Sequence, residues 1–209
     1  MTGDTYYTIA AKSESSLTEK RSRFLAFLEP VCTAEQALEI VATYRKKYYD
    51  ARHVCWAYRL GADGIERSND DGEPSGTAGK PILGRLVSAD LSDVVGIVVR
   101  YFGGIKLGTS GLIEAYRTAM AMAIEEADRL PVIRKEEMDI QFGYELMGEI
   151  MRLVKDSSAE VIEQDCRESC RLRIRIRAND SSQLKSRLSS LYGCQLSVPN
   201  EKTDSSQAE

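Results

Sequence analysis

The chain has 209 residues, 43% hydrophobic and 29% charged, the balance of a folded protein with one good core or two small ones rather than a disordered chain. Its 28 basic and 32 acidic residues leave a formal charge of −4, too weak a bias for a nucleic-acid coat or a membrane-surface protein, although a local basic patch stays open. The single histidine, His53, excludes multi-histidine metal sites, and Cys166 and Cys170 have no second pair with which to build a structural zinc.

In chain order, Tyr6 to Lys12 and Arg23 to Leu28 read as strands. Thr33-Ala34-Glu35-Gln36 is a capping box that opens a helix to about Tyr49, with Leu38, Val41 and Tyr44 on its apolar side. Arg52 to Leu60 alternates as a strand, with Val54, Trp56, Tyr58 and Leu60 facing one way and His53, Cys55, Ala57 and Arg59 the other. A turn at Gly61 to Gly64 and a return strand from Ile65 to Ser68 lead into a long loop, Asn69 to Lys80. Pro81 to Val87 begins a helix. Val94 to Arg100 is a buried strand, and Thr109 to Ala127 a long helix with Leu112, Ala115, Tyr116, Ala119, Met120, Ala123 and Ile124 on one side. Pro131 stops that helix and marks a boundary.

The remainder reads βαββαβ: a strand carrying Met138, Ile140, Phe142 and Tyr144, a helix from Leu146 to Val154, a hairpin of Glu160 to Cys166 with Arg171 to Arg177, a helix from Ser182 to Leu191, and a last strand from Gln195 to Val198. This order suits a ferredoxin-like sandwich. The expected domains are 1–130 and 131–198, with a disordered tail over 199–209. The longest apolar run, Val94 to Val99, is far shorter than the roughly 20 residues of a membrane span. The N-terminal residues Met1 to Tyr6 lack a signal peptide's pattern, and five scattered cysteines suit reduced thiols, so a cytoplasmic location is expected.

Two glycine-rich stretches carry most of the chemistry. Asp70, Asp71, Glu73, Ser75, Gly76, Thr77, Gly79 and Lys80 lie in the first, where small residues let backbone amides approach a ligand. It is no Walker loop, because Pro74 stands where the first glycine belongs and Pro81 follows the lysine. Its acidic half offers oxygen ligands to a hard cation, without EF-hand spacing. The second, Arg100 to Gly111, joins a buried strand to a helix N-terminus, a place that favours anions, with Gly103, Gly104 and Lys106 in the turn. A capped glycine-rich turn is the equally good plain reading.

Other groupings are weaker. His53 and Cys55 share one strand face but point in parallel, so the polar face of a strand outweighs a Cys–His nucleophile. Arg171, Arg173, Arg175 and Arg177 form a row that suits phosphates, yet the neighbouring strands offer Glu137, Asp139, Glu163 and Asp165 or Glu160, and a charge-paired face outweighs that use. Cys166 and Cys170 flank a tight hairpin; a redox role for them is the lesser reading.

Glu19-Lys20-Arg21-Ser22-Arg23-Phe24, Ala51-Arg52-His53, the string from Asn69 to Pro81 and the string from Val99 to Gly108 resemble the YigZ/Impact family over about residues 1–130. The second segment is similar to the C-terminal domain of the bacterial branch. The resemblance implies an α+β chain of two domains. The first would have the fold of ribosomal-protein and elongation-factor-G domain IV type, with a left-handed crossover where pattern alone favours a right-handed one. The second would be ferredoxin-like, as in domain V of that factor. It also implies a regulator: the eukaryotic relatives act by protein binding. The expectation is a regulatory binding protein of translation or its stress response, a monomer or weak oligomer. It would engage RNA, the ribosome or a translation-related protein through Arg21, Arg23, Arg52, His53, Lys80, Arg100 and Lys106, without a cofactor, a metal or catalytic residues. The alternative is an enzyme acting on a small phosphorylated or nucleotide ligand.

Overall fold

In the computed structural model, which describes residues 4–62, 64–167 and 169–198, contacts divide the chain into two compact units, Thr5–Val132 and, with Asp4, the residues from Ile133 onward. Expectations for Met1 to Gly3, for Asp63 and Glu168 in their turns, and for the tail from Pro199 lie outside the described residues.

The first unit is built on a five-stranded sheet of β2 (Ser13–Glu19), β3 (Ser22–Pro30), β4 (His53–Leu60), β5 (Ile65–Asn69) and β6 (Val94–Tyr101), in the order β2-β3-β6-β4-β5. β6 is antiparallel to both β3 and β4, so β3 and β4 run the same way with β6 between them. α1 (Ala34–Lys47) connects them and packs on one face, against Phe27, Trp56 and Ile97. α2 (Gly79–Ser88) and α3 (Gly108–Glu125) cover the other face, against Phe24, Cys55 and Val98. With both faces covered, β6 is a continuous apolar run rather than an alternating one. The capping box forms: Thr33 Oγ1 accepts from Gln36 N at 3.2 Å, and Gln36 Oε1 accepts from Cys32 N at 2.7 Å.

Several expectations change. Leu38 is 37% exposed, because Ala37, Val41 and Tyr44 make the buried stripe and the next residue turns about 100° away from it. β1 covers Thr5–Ile9, short of Lys12. Ser13–Glu19 is a strand outside the expected ones, since two of its inward positions are serines; Ser13 Oγ and Ser15 Oγ donate to the α3 carbonyls of Ala123 and Ala119 at 2.7 and 2.9 Å. Arg129–Ile133, around the helix-stopping Pro131, is strand β7, which pairs with β1 in a two-stranded sheet where proline is tolerated.

The second unit is a four-stranded antiparallel sheet in the order β11-β8-β10-β9, from β8 (Lys135–Phe142), β9 (Glu160–Cys166), β10 (Cys170–Arg177) and β11 (Gln195–Ser197). With α4 (Met147–Asp156) and α5 (Ala178–Ser189) this is the ferredoxin-like order. Its core joins Ile140, Leu172 and Ile174 to Ile150, Leu153 and Leu184. Tyr144, expected on the first strand, lies beyond it in a short 3-10 turn and is 76% exposed. α5 starts four residues before Ser182, directly at the end of β10.

Candidate functional site

The long loop is organised from within by its own carboxylates. Asp70 accepts the amides of Gly76 at 2.8 Å, Ala78 at 3.0 Å and Gly79 at 2.8 Å. α2 has no cap from its own N-terminal neighbour Ala78, so Asp70 takes that part from across the loop. Burial works to raise the Asp70 carboxyl, but the Gly76, Gly79 and Ala78 amides and Lys80 outweigh it and hold the group below the usual carboxylate range. Gly79 is required here, because a Cβ would stand 2.8 Å from the Asn69 backbone nitrogen. Asp71 accepts Val54 N at 2.6 Å and pairs with Arg45 at 2.7 Å. Neither aspartate is left to hold a cation, and among the described residues no cluster of three His, Cys, Asp or Glu is placed to hold one.

Glu73 turns inward instead. Strand register sets Phe24, Arg100 and His53 in one row across β3, β6 and β4. Glu73, 8% exposed, meets that row and accepts from Arg100 Nη1 at 2.5 Å and from the Tyr116 hydroxyl at 2.9 Å. Cys55 Sγ donates to the Asp70 carbonyl at 3.0 Å and lies 3.3 Å from the Tyr116 hydroxyl. Burial pushes the Cys55 thiol well above its ordinary range, against the hydrogen bond with Tyr116 and with the carboxylates of Glu73, Asp71 and Asp70 adding to it, which disfavours the thiolate. His53 Nδ1 lies 2.7 Å from the Asp71 carbonyl and donates to it, which leaves Nε2 facing Glu73 Oε1 at 3.9 Å.

Beside Arg100 opens a cavity of about 420 Å³, lined by the polar residues Arg52, His53, Glu73 and Lys106 and by Pro74, Phe102, Leu107 and Leu112. The first turn of α3, Gly108 and Thr109, also lines it and receives no side-chain cap. Arg100 is only 7% exposed, stands between the Phe24 and Phe102 rings at 5.6 and 5.7 Å, and has no partner for its Nε. The loop after β6 is pinned at Gly103, where a Cβ would lie 2.0 Å from the Arg21 carbonyl carbon. Gly103 N donates to Ser22 Oγ at 3.2 Å.

Residues 20–124 match the family described as the Impact N-terminal domain, a span that contains the whole cavity. IMPACT family member YvyE of Bacillus subtilis (strain 168) is 38% identical over 156 residues, covering 73% of this chain and 70% of the relative. The chain belongs to the IMPACT family. A second member, YigZ of Escherichia coli (strain K12), is 33% identical over 172 residues, 81% of this chain and 84% of its own. A solved structure described as a crystal structure of an hypothetical protein matches 95% of this chain and 98% of its own, with a TM-score of 0.66 and 29% identity.

Within this IMPACT fold, Arg52, His53, Glu73, Arg100 and Lys106 of the expected residues come together around the cavity. Lys80 and Gly76 instead line a separate groove of about 620 Å³ beside α2 and α3, with Arg85 and Arg117. Arg21 and Gly103 touch at the β2–β3 turn, and Arg23 lies 5.0 Å from the Tyr101 ring. Thr77 is buried, its hydroxyl donating to the Pro74 carbonyl at 2.6 Å, while Ser75 and Gly104 are exposed. Reading by residue type missed Phe102, Tyr116 and Arg117. Tyr116 reads as one more apolar position of its helix; the only local signal is a hydroxyl in a stripe of alanine, leucine and methionine.

In the second unit, Asp139 takes Arg173 at 2.8 Å and Arg171 at 2.6 Å, Glu137 takes Arg175 at 2.7 Å, and Asp4 takes Arg177 at 3.0 Å. Arg173 foremost, against burial and together with Arg171, holds the Asp139 carboxyl below its ordinary value. Cys166 and Cys170 are free thiols opposite each other across the hairpin. Their hydrogen bond, with burial, pushes Cys170 up to about 11, away from thiolate chemistry. No described helix is long and apolar enough to cross a membrane.

Proposed function

We propose that this IMPACT protein is a cytoplasmic regulatory binding factor of translation that grips RNA phosphates at the cavity beside β6 and α3. The observation that supports this reading is Arg100, a nearly buried guanidinium on the cavity wall whose one ion pair among the described residues is with Glu73. Arg52, Lys106 and the uncapped α3 N-terminus add positive potential at the same wall. The regulatory role follows the family resemblance.

The test is sedimentation with ribosomes and separated subunits at low and moderate salt, beside the exposed double variant Arg52→Glu/Lys106→Glu. Co-sedimentation that salt weakens and the variant abolishes supports the reading. Absence of co-sedimentation at low salt sinks it. The rival reading is an enzyme on a small phosphorylated ligand. It draws on His53 and Glu73 lining the same cavity, and it predicts that a single nucleotide raises the melting temperature of the protein in the absence of RNA.

A further inference from the structure

We infer that the cavity and its rim hold one unpaired nucleotide of an RNA strand, the base stacked on Phe102 and the flanking phosphates at Lys106 and at the Lys20–Arg21 turn. The inference rests on the RNA reading above and deepens it from phosphate binding to single-strand recognition.

Phe102 is 49% exposed, whereas the other three phenylalanines, Phe24, Phe27 and Phe142, are buried. Its inner side is backed by the Arg100 guanidinium at 5.7 Å, which is in turn backed by Phe24 at 5.6 Å. The cation holds the ring on that side, and the residue keeps an open side. A nucleobase covers such a side with good stacking energy whatever its identity. Pro74 and Leu107 extend the apolar surface into the cavity. The polar part of the lining includes Arg100, which is more than nine-tenths buried and paired with Glu73.

The same end of the loop touches the β2–β3 turn. Lys20 and Arg21 have φ of 44° and 66°, left-handed positions that usually fall to Asn or Gly in a two-residue hairpin. The Arg21 backbone is packed against Gly103, one residue from Phe102. Lys20 and Arg21 are exposed at this turn, and Lys106 is an exposed cation on the lining of the cavity that Phe102 shares. A strand whose backbone runs along these cations can turn one base in at the ring. A duplex keeps its bases stacked within itself and offers Phe102 nothing.

The experiment measures affinity by fluorescence anisotropy for a labelled RNA strand of about 12 nucleotides, within the length such surfaces cover. Its perfect duplex and a mononucleotide are the other arms. The strand is expected to bind best. Phe102→Ala and Phe102→Leu are expected to weaken strand binding about tenfold or more while leaving its salt slope unchanged, and Phe102→Trp to retain it. Lys106→Gln is expected to flatten the salt slope instead, by about one phosphate contact. Equal binding of strand and duplex, insensitive to both Phe102 variants, overturns the nucleotide inference and leaves phosphate gripping intact. A mononucleotide that binds as tightly as the strand overturns strand recognition. No binding of any RNA overturns the underlying reading as well.

Discussion

Along β10 four arginines stand on one sheet face, and each meets a carboxylate: Arg171 and Arg173 share Asp139, Arg175 meets Glu137, and Arg177 meets Asp4. Beside β6 and α3 the positive groups outnumber their partners. Arg100 has Glu73 alone, while Arg52 and Lys106 line the same cavity with His53. A row of arginines is thus the conspicuous feature of the sequence and the balanced one of the structure. Opposite charges placed across neighbouring strands neutralise each other in register. The cavity has no such ladder, because its charges come from a strand, two loops and a helix end that meet only in the fold.

The largest test of this contrast is Glu73→Ala. It removes the only carboxylate of a buried guanidinium and the acceptor of the Tyr116 hydroxyl, so the first unit is expected to lose about 3–5 kcal/mol. Urea unfolding followed by Trp56 fluorescence reports that unit alone, since the chain has a single tryptophan. A loss under about 1 kcal/mol, the range of an exposed pair, would mean that Glu73 and Arg100 behave like surface residues and that the contrast is wrong.

Next comes Asp70→Ala, which frees three amides at the start of α2 and is expected to cost about 2–3 kcal/mol in the same assay. The same carboxyl sets a pH dependence. Its folded value lies below the unfolded one, so the stability it adds is present above roughly pH 4 and lost as the pH falls through that lowered value. Asp139 and Glu136 act in the same direction in the second unit. Asp70→Asn is expected to flatten the acid slope of the Trp56 signal and leave the second unit's slope unchanged.

The smallest effect belongs to Arg175→Gln. Its pairs with Glu137 and Glu160 are open to water, so the unfolding midpoint and the RNA affinity are both expected to stay within error. A clear loss of RNA binding would move the interface to the second unit.

Much of the fold was legible where one local rule operates. The Thr33 capping box, the apolar stripe of α3 and the βαββαβ order of the second unit all follow from short-range spacing. β2 escaped because its inward serines bond helix carbonyls instead of filling a core, and β7 because Pro131 signals a stop whether a helix or an edge strand is involved. At the site, Arg52, His53, Arg100 and Lys106 stood out by type, but Lys80 belongs to another groove and Asp70 and Asp71 are spent on backbone amides. Phe102 and Tyr116 carried no mark beyond being aromatic.

By itself the sequence determined the α+β class, the family and the two glycine-rich strings where charge and small residues gather. Only the tertiary structure decided which carboxylate of Asp70, Asp71 and Glu73 goes inside, and which arginine it meets there. The physical reason is distance along the chain. Glu73 meets Arg100 from 27 residues away and Tyr116 from 43, across a sheet register that no local spacing records.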